Sequence, residues 1–250
     1  MIPSDSLAGR TALVTGGATR VGAAIVRQLH AAGAQVVIHY RSSESPALAL
    51  QEALLERRPG SATLVQADLL DIAGLPDLVE EVLAVNGHLD VLVNNASNYY
   101  PTPLGSADEA QWEDLMGINA KAPFFLSQAA APALKESRGA IVNLVDIHAR
   151  RPNKGHPLYC MAKAANAMLV KSLARELAPE VRVNGVAPGA ILWPEEALTL
   201  PEKSQVLERI PMGRPGSPED IAETVWFLAA HGGYITGQIL AVDGGRSVQQ

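Results

Sequence analysis

The sequence predicts an α/β fold, a doubly wound parallel sheet with helices on both faces. Three observations lead there. Short apolar runs alternate with longer helical patterns along all 250 residues. The first run feeds a glycine turn and then a helix, and polar residues fall where the strands end, the place where open sheets of this kind bind ligands. With 48% hydrophobic and 18% charged residues, the chain can build one sizeable core, so a single domain over 1–250 is expected.

The run RTALVT from Arg10 to Thr15 is short, apolar and buried in character. It leads into GGATRVG and then AAIVRQLHAAG, a helical pattern closed by Gly33. Strand, turn and helix together aim backbone N–H groups and a positive helix end at an anion, which suits a pyrophosphate held across Gly16, Thr19, Arg20, Val21 and Gly22. That makes the fold Rossmann-type. The turn departs from GxGxxG by carrying Arg20 where a middle glycine is expected, so an arginine sits beside the phosphates.

The next strand, AQVVIHY, ends in His39, Tyr40, Arg41, Ser42 and Ser43. An acidic residue at this point would hydrogen-bond a free ribose 2′-hydroxyl. None is present. An arginine and two hydroxyls instead offer charge-assisted bonds to a 2′-phosphate, so NADPH is favoured over NADH. A helical stretch from Pro46 to Arg58, a Pro59-Gly60 break and the strand SATLVQAD follow. Asp68, with Leu69 beside it, is placed either to touch an adenine edge or to cap the next turn.

After the helix LPDLVEEVLAVNG, the strand LDVLVNNA ends in Asn94, Asn95, Ala96 and Ser97, small groups that let backbone pass close to a cofactor. The segment NYYPTPL is kept out of helix by its prolines, and Tyr99 is the ring expected to stack on a flat ligand. Residues Ala107 to Lys135 read as helix interrupted near Pro123 and Pro132. Asn119, polar among apolar neighbours, suggests a bound water or an unsatisfied kink there.

The strand GAIVNLV ends at Asp146, and the loop IHARRPNKGHP leads into a helix from Leu158 onward. Tyr159 and Lys163 are four apart on that helix and share one face. At about 5 Å and an effective dielectric of about 20, an ammonium favours the phenolate by roughly 3 kcal/mol. The spacing therefore predicts a phenol lowered toward neutrality and usable as a proton donor. VRVNGVAPG is a further buried strand with Pro188-Gly189 at its end. Residues 190–217, with Ile191, Leu192 and Trp193 at the start, read as a substrate lid. AETVWFLAA closes as helix and Ile235 to Gly245 as the last strand.

A net charge of −6 argues against nucleic acid or an anionic membrane as partner. The single cysteine, Cys160, excludes an intrachain disulfide framework and fits a reducing compartment. The opening MIPSDSLAGR has no basic segment followed by a long apolar run, so a cytoplasmic protein is expected. Six scattered histidines offer no metal-ligand spacing; His148 and His156 read as loop or substrate contacts.

These residues together resemble the short-chain dehydrogenase/reductase family from Arg10 to Gly245. The likeness rests on the glycine turn, Asn94-Asn95-Ala96, Asn119, Tyr159 with Lys163, Pro188-Gly189 and the terminal VDGG. Within it the chain resembles the pteridine reductases. It shares TGxxxRxG at Thr15 to Gly22, HY before basic and hydroxyl residues at His39 to Ser43, and NNAS-aromatic-YPTPL at Asn94 to Leu104. It also has aspartate, at Asp146, where most relatives have serine. The resemblance implies that Tyr159 supplies a proton, Lys163 holds the nicotinamide ribose and Asn119 supports a water-linked proton path. Tyr99 would then sandwich a pterin against the nicotinamide, with Arg20, Ser97, Asp146, Tyr159, Leu192 and Trp193 around it. Parasite relatives have phenylalanine in place of Tyr99, and the family's threonine after Pro-Gly is missing. A homotetramer acting on a pterin or folate is also implied.

The aspartate carries a physical argument. A ketone reductase must stabilise a developing alkoxide, which an ionised carboxylate at about 4 Å would oppose by roughly 4 kcal/mol at a dielectric of about 20. Reduction of a pterin C=N bond instead needs a proton at ring nitrogen, which a carboxyl sharing a proton with Tyr159 can deliver. The rival expectations are a carbonyl reductase of the oxoacyl-carrier-protein or sugar-alcohol kind, and an NADPH-sensing regulator without turnover.

Overall fold

The computed structural model describes residues 5–191 and 200–249, with backbone alone for 200–203. Leu192 and Trp193 lie outside the described residues. Seven strands form one parallel sheet in the order β3-β2-β1-β4-β5-β6-β7. They are β1 (Thr11–Val14), β2 (Gln35–Tyr40), β3 (Ala62–Gln66), β4 (Val91–Asn94), β5 (Ala140–Leu144), β6 (Arg182–Pro188) and β7 (Ile239–Val242). The chain begins at the centre, winds out to β3, then crosses back to lay β4 against the other side of β1. That reversal opens a crevice at the carboxyl ends of β1 and β4, where a ligand meets no covering crossover.

Central strands are buried on both faces, so their sequences run apolar rather than alternating. Side-chain direction still alternates. Ala12 and Val14 join a core layer with α1 (Arg20–Ala31), α2 (Glu44–Arg57) and α8 (Pro218–Ala230). Leu13 faces the other way, into a layer with α3 (Leu75–Asn86), α5 (Ala122–Ser137) and α6 (Pro157–Glu176). Helix α8 starts on a capping box made by Ser217 and Asp220, and α4 (Glu109–Met116) on one made by Asp108 and Gln111.

Two sequence expectations need correction. The predicted breaks near Pro123 and Pro132 are replaced by a single π-helical turn, Gly117–Lys121, between α4 and α5. Pro123 stands in the first turn of α5, where a missing N–H is harmless, and Pro132 lies inside α5 without ending it. The interruption follows Asn119 instead. The segment 190–217, read as irregular, contains a helix, α7 (Leu200–Glu208).

Candidate active site

Two glycines fold the turn after β1 onto itself. Gly16 has φ +59°, and a Cβ on Gly22 would stand 2.1 Å from the Gly16 carbonyl oxygen, so neither position admits a side chain without strain. The turn is braced from β4. Asn95 Nδ2 donates to the carbonyls of Thr15 and Gly16 at 2.8 and 3.0 Å, and Thr15 Oγ1 accepts from the Asn95 and Ala96 amides. Thr19 leaves the start of α1 without a side-chain cap. The first amides of a helix have no intrahelical partner. An open, positive helix end beside the exposed Arg20 thus fits the diphosphate of a nicotinamide dinucleotide.

Arg20 itself has φ +51°, the left-handed region that costs a branched-off side chain about 1 kcal/mol or more. Arg41 and Ser42 are exposed just past β2.

Some expected cofactor contacts take another role. The side chains of His39 and Tyr40 are buried beneath the turn. His39 Nδ1 accepts from the Gly16 amide at 3.1 Å and its Nε2 donates to the Ala67 carbonyl at 3.1 Å, which fixes the neutral Nε2–H tautomer. Burial pushes this imidazole down to about 4, against smaller opposing effects of the Ala67 bond and Asp68. Tyr40 packs on Ala18 and Ala47, and Leu69 belongs to the core layer under α3. Asp68 Oδ1 accepts from the Leu70 amide at 3.0 Å, the turn-capping alternative. Val21 and Ile191 pack on the α1 and α8 layer, and Gly189 is required where a Cβ would come 2.6 Å from Asp243 Cβ.

At the other end of the crevice, Tyr159 Oη donates to Asp146 Oδ2 at 2.8 Å, while Asp146 Oδ1 accepts from the His148 amide at 2.8 Å. The phenol was expected to be lowered by Lys163. It is instead pushed well above its ordinary range, first by burial and then by the Asp146 carboxylate that accepts its proton. Lys163 does not offset this because its Nζ donates to the Leu144 carbonyl at 2.9 Å and stands 5.7 Å from the ring centroid rather than at the hydroxyl. Burial pushes this amine down to about 8, with Asp146 working the other way.

Asn119 is fully buried and fully used. Its Oδ1 accepts from Ser97 Oγ at 2.6 Å, and its Nδ2 donates to the carbonyls of Leu115 and Asn98, both at 3.0 Å. The Asn119 carbonyl accepts from Asn166 Nδ2 at 2.9 Å. From there a buried chain of amides runs inward, Asn143 Nδ2 to Asn166 Oδ1 and Asn94 Nδ2 to Asn143 Oδ1, both 2.8 Å. Neither a bound water nor an unsatisfied kink is needed to explain the residue. Sequence reasoning gave Asn143 and Asn166 no role, although an asparagine inside the apolar strand AIVNL must find partners and so signals a network.

The two neighbouring tyrosines divide their labour. Tyr100 Oη donates to Asp114 Oδ2 at 2.8 Å and its ring packs against the cluster of Leu115, Leu158, Tyr159 and Cys160. Tyr99 is 52% exposed, stacks on His156 at 4.6 Å and meets Tyr159 edge-on at 4.8 Å. The structure thus brings Ser97, Tyr99, Asn119, Asp146, Tyr159 and Lys163 to the end of the crevice across from the glycine turn.

The Tyr159–Asp146 pair and the glycine turn open on the same crevice, the arrangement expected of an oxidoreductase that exchanges hydride with a nicotinamide dinucleotide. A family model described as enoyl-(acyl carrier protein) reductase matches residues 16–247. Pteridine reductase 1 of Leishmania tarentolae is 37% identical over 278 residues, covering 95% of this chain and 96% of that one. The 3-oxoacyl-[acyl-carrier-protein] reductases FabG of Staphylococcus aureus and Thermotoga maritima are 38% and 35% identical, covering 94% and 96% of this chain and 97% and 98% of their own lengths. The chain belongs to the short-chain dehydrogenase/reductase family and is an NAD(P)-dependent oxidoreductase. Relatives of both kinds stand at similar identity, so the choice of substrate turns on the chemistry of the site.

Proposed function

We propose that the chain is an NADPH-dependent pteridine reductase, reducing a dihydropterin or dihydrofolate at a ring C=N bond. The observation that carries this reading is the 2.8 Å bond from Tyr159 to Asp146. A carboxylate in that position opposes a developing alkoxide, yet it can relay a proton to a ring nitrogen. Bound NADPH would supply the hydride. Gly16, Thr19, Arg20 and Gly22 would hold its diphosphate, and Arg41 and Ser42 its 2′-phosphate. Ala96, Ser97, Pro188, Gly189 and Lys163 would line the nicotinamide end, with Tyr99 as the platform under the pterin.

The proton step follows from the pair's charges. With one proton on the pair, the phenol keeps it, because releasing it would leave two anions at hydrogen-bond distance. Hydride arrival makes the ring nitrogen basic enough to take a proton from the pair, and a proton from solvent restores it.

A tetramer is proposed on the exposed apolar side chains Phe124, Met161 and Met168 on α5 and α6 and Phe227 and Leu240 on α8 and β7. Among the described residues, no helix is long and apolar enough to cross a membrane, and we place the protein in the cytoplasm. The second reading, an oxoacyl-carrier-protein reductase, is favoured by the similar identity to the FabG proteins. NADPH oxidation with dihydrobiopterin, dihydrofolate and an acetoacetyl thioester separates the two: turnover of the thioester alone would replace the pterin reading.

A further inference from the structure

Tyr99 is an exposed ring on a loop rich in proline, yet the loop that enters the catalytic helix grips it on two sides. Asn153 Nδ2 donates to the Tyr99 hydroxyl at 2.9 Å, and the His156 ring lies against one face at 4.6 Å with the planes 7° apart. The grip is itself anchored. The Asn153 amide donates to Cys160 Sγ at 3.2 Å, and His156 Nδ1 stands 3.1 Å from the Lys154 carbonyl and 3.3 Å from Asn153 Nδ2, which ties the two gripping residues together. The Thr102 amide donates to the Gly155 carbonyl at 2.7 Å, joining the two loops through backbone.

An aromatic platform at a crevice mouth normally loses side-chain freedom when a flat ligand settles on it, and that loss subtracts from affinity. Here the ring is already fixed, and one contact that fixes it requires the hydroxyl. We propose that Asn153 and His156 are positioning residues that hold Tyr99 as a preset platform for a flat heterocycle, with the Tyr99 hydroxyl as the handle. The inference rests on the proposed pterin substrate and adds to it the residues that hold the platform in place. Phenylalanine at this position offers no such handle. Asn153 therefore acts on substrate through Tyr99, and His156 through the face it supports.

A double-mutant cycle on the full-length protein tests this, with Tyr99→Phe, Asn153→Ala and the pair assayed by NADPH oxidation with dihydrobiopterin. Each single change should raise the pterin KM about three- to tenfold, with kcat and the NADPH KM within about twofold. The double variant should be no worse than Asn153→Ala alone, since the bond to Tyr99 is lost once and the contact with His156 belongs to Asn153. His156→Ala should raise the pterin KM similarly, and His156→Phe, which keeps a flat face, should restore it. Multiplied losses in the double variant, or a joint fall in kcat and NADPH affinity, would overturn the assignment. Hydrogen exchange of residues 98–104 in the unliganded protein reads the grip independently of substrate. Faster exchange in Asn153→Ala supports it; unchanged exchange refutes it. Failure of the unaltered protein to reduce any pterin would sink the proposed function, while the exchange result would still decide whether the grip exists.

Discussion

The two ends of the crevice are built by different means. The glycine turn shapes its surface with backbone, and its supporting groups, His39 and Asn95, act by holding amides and carbonyls in place. The other end is made of side chains from separate segments, Ser97 and Tyr99 after β4, Asn119 in the π turn, Asp146 after β5, and Tyr159 and Lys163 on α6. A backbone cradle suits any member of a dinucleotide-binding family, whereas a side-chain cluster can be retuned by one substitution. The difference fits the finding that pteridine reductase 1 and the FabG proteins match this chain at similar identity.

That division is sharpened most by Asp146→Ser, which touches one end alone. Dihydropterin kcat/KM should fall by a factor on the order of a hundred to a thousand, while NADPH affinity, measured by fluorescence titration, stays within about threefold.

The second prediction isolates the other end. His39 is held near 4 when folded and lies near 6.5 when unfolded, so between those values the unfolded chain binds more protons. Stability should accordingly be full above about pH 6.5 and decline as pH falls toward 4, by as much as about 3 kcal/mol. His39→Asn keeps an acceptor for the Gly16 amide but does not titrate in this range. Urea unfolding across that window should show a shallower pH dependence for the variant.

Asn166→Ala tests the seam between the ends. It orphans the Asn119 carbonyl and the Asn143 amide in a dry site, so a loss of about 2 kcal/mol in denaturant midpoint analysis is expected, with kcat reduced as the π turn relaxes. Retained stability would mean that water replaces the amide. The smallest effect belongs to Arg20→Gly, which relieves left-handed strain. Stability should rise by about 1 kcal/mol while the KM values for NADPH and pterin both increase. A rise in only one KM would show which end the guanidinium serves.

The fold was legible because buried parallel strands and glycine punctuation are local signals, and all seven strands fall where the apolar runs stand. Tyr159, Lys163 and Asp146 were legible as chemistry, but their charges were not. A spacing of four places the lysine near the tyrosine, and only tertiary packing shows that its ammonium is taken by the Leu144 carbonyl while the phenol faces the carboxylate. His39 illustrates the same limit. Its place at the end of β2 suggested contact with cofactor, and the pleat turned its ring beneath the turn instead. Asn153 and His156 sit in a loop whose path no periodicity predicts, so their grip on Tyr99 was beyond sequence reading.

Turnover with paired substrates tests the central claim most directly. Purified protein with NADPH should reduce dihydrobiopterin or dihydrofolate with a kcat/KM at least about a hundredfold above that for an acetoacetyl thioester, and Asp146→Ser should erase most of that margin. Ready reduction of the thioester with every dihydropterin left untouched would contradict it.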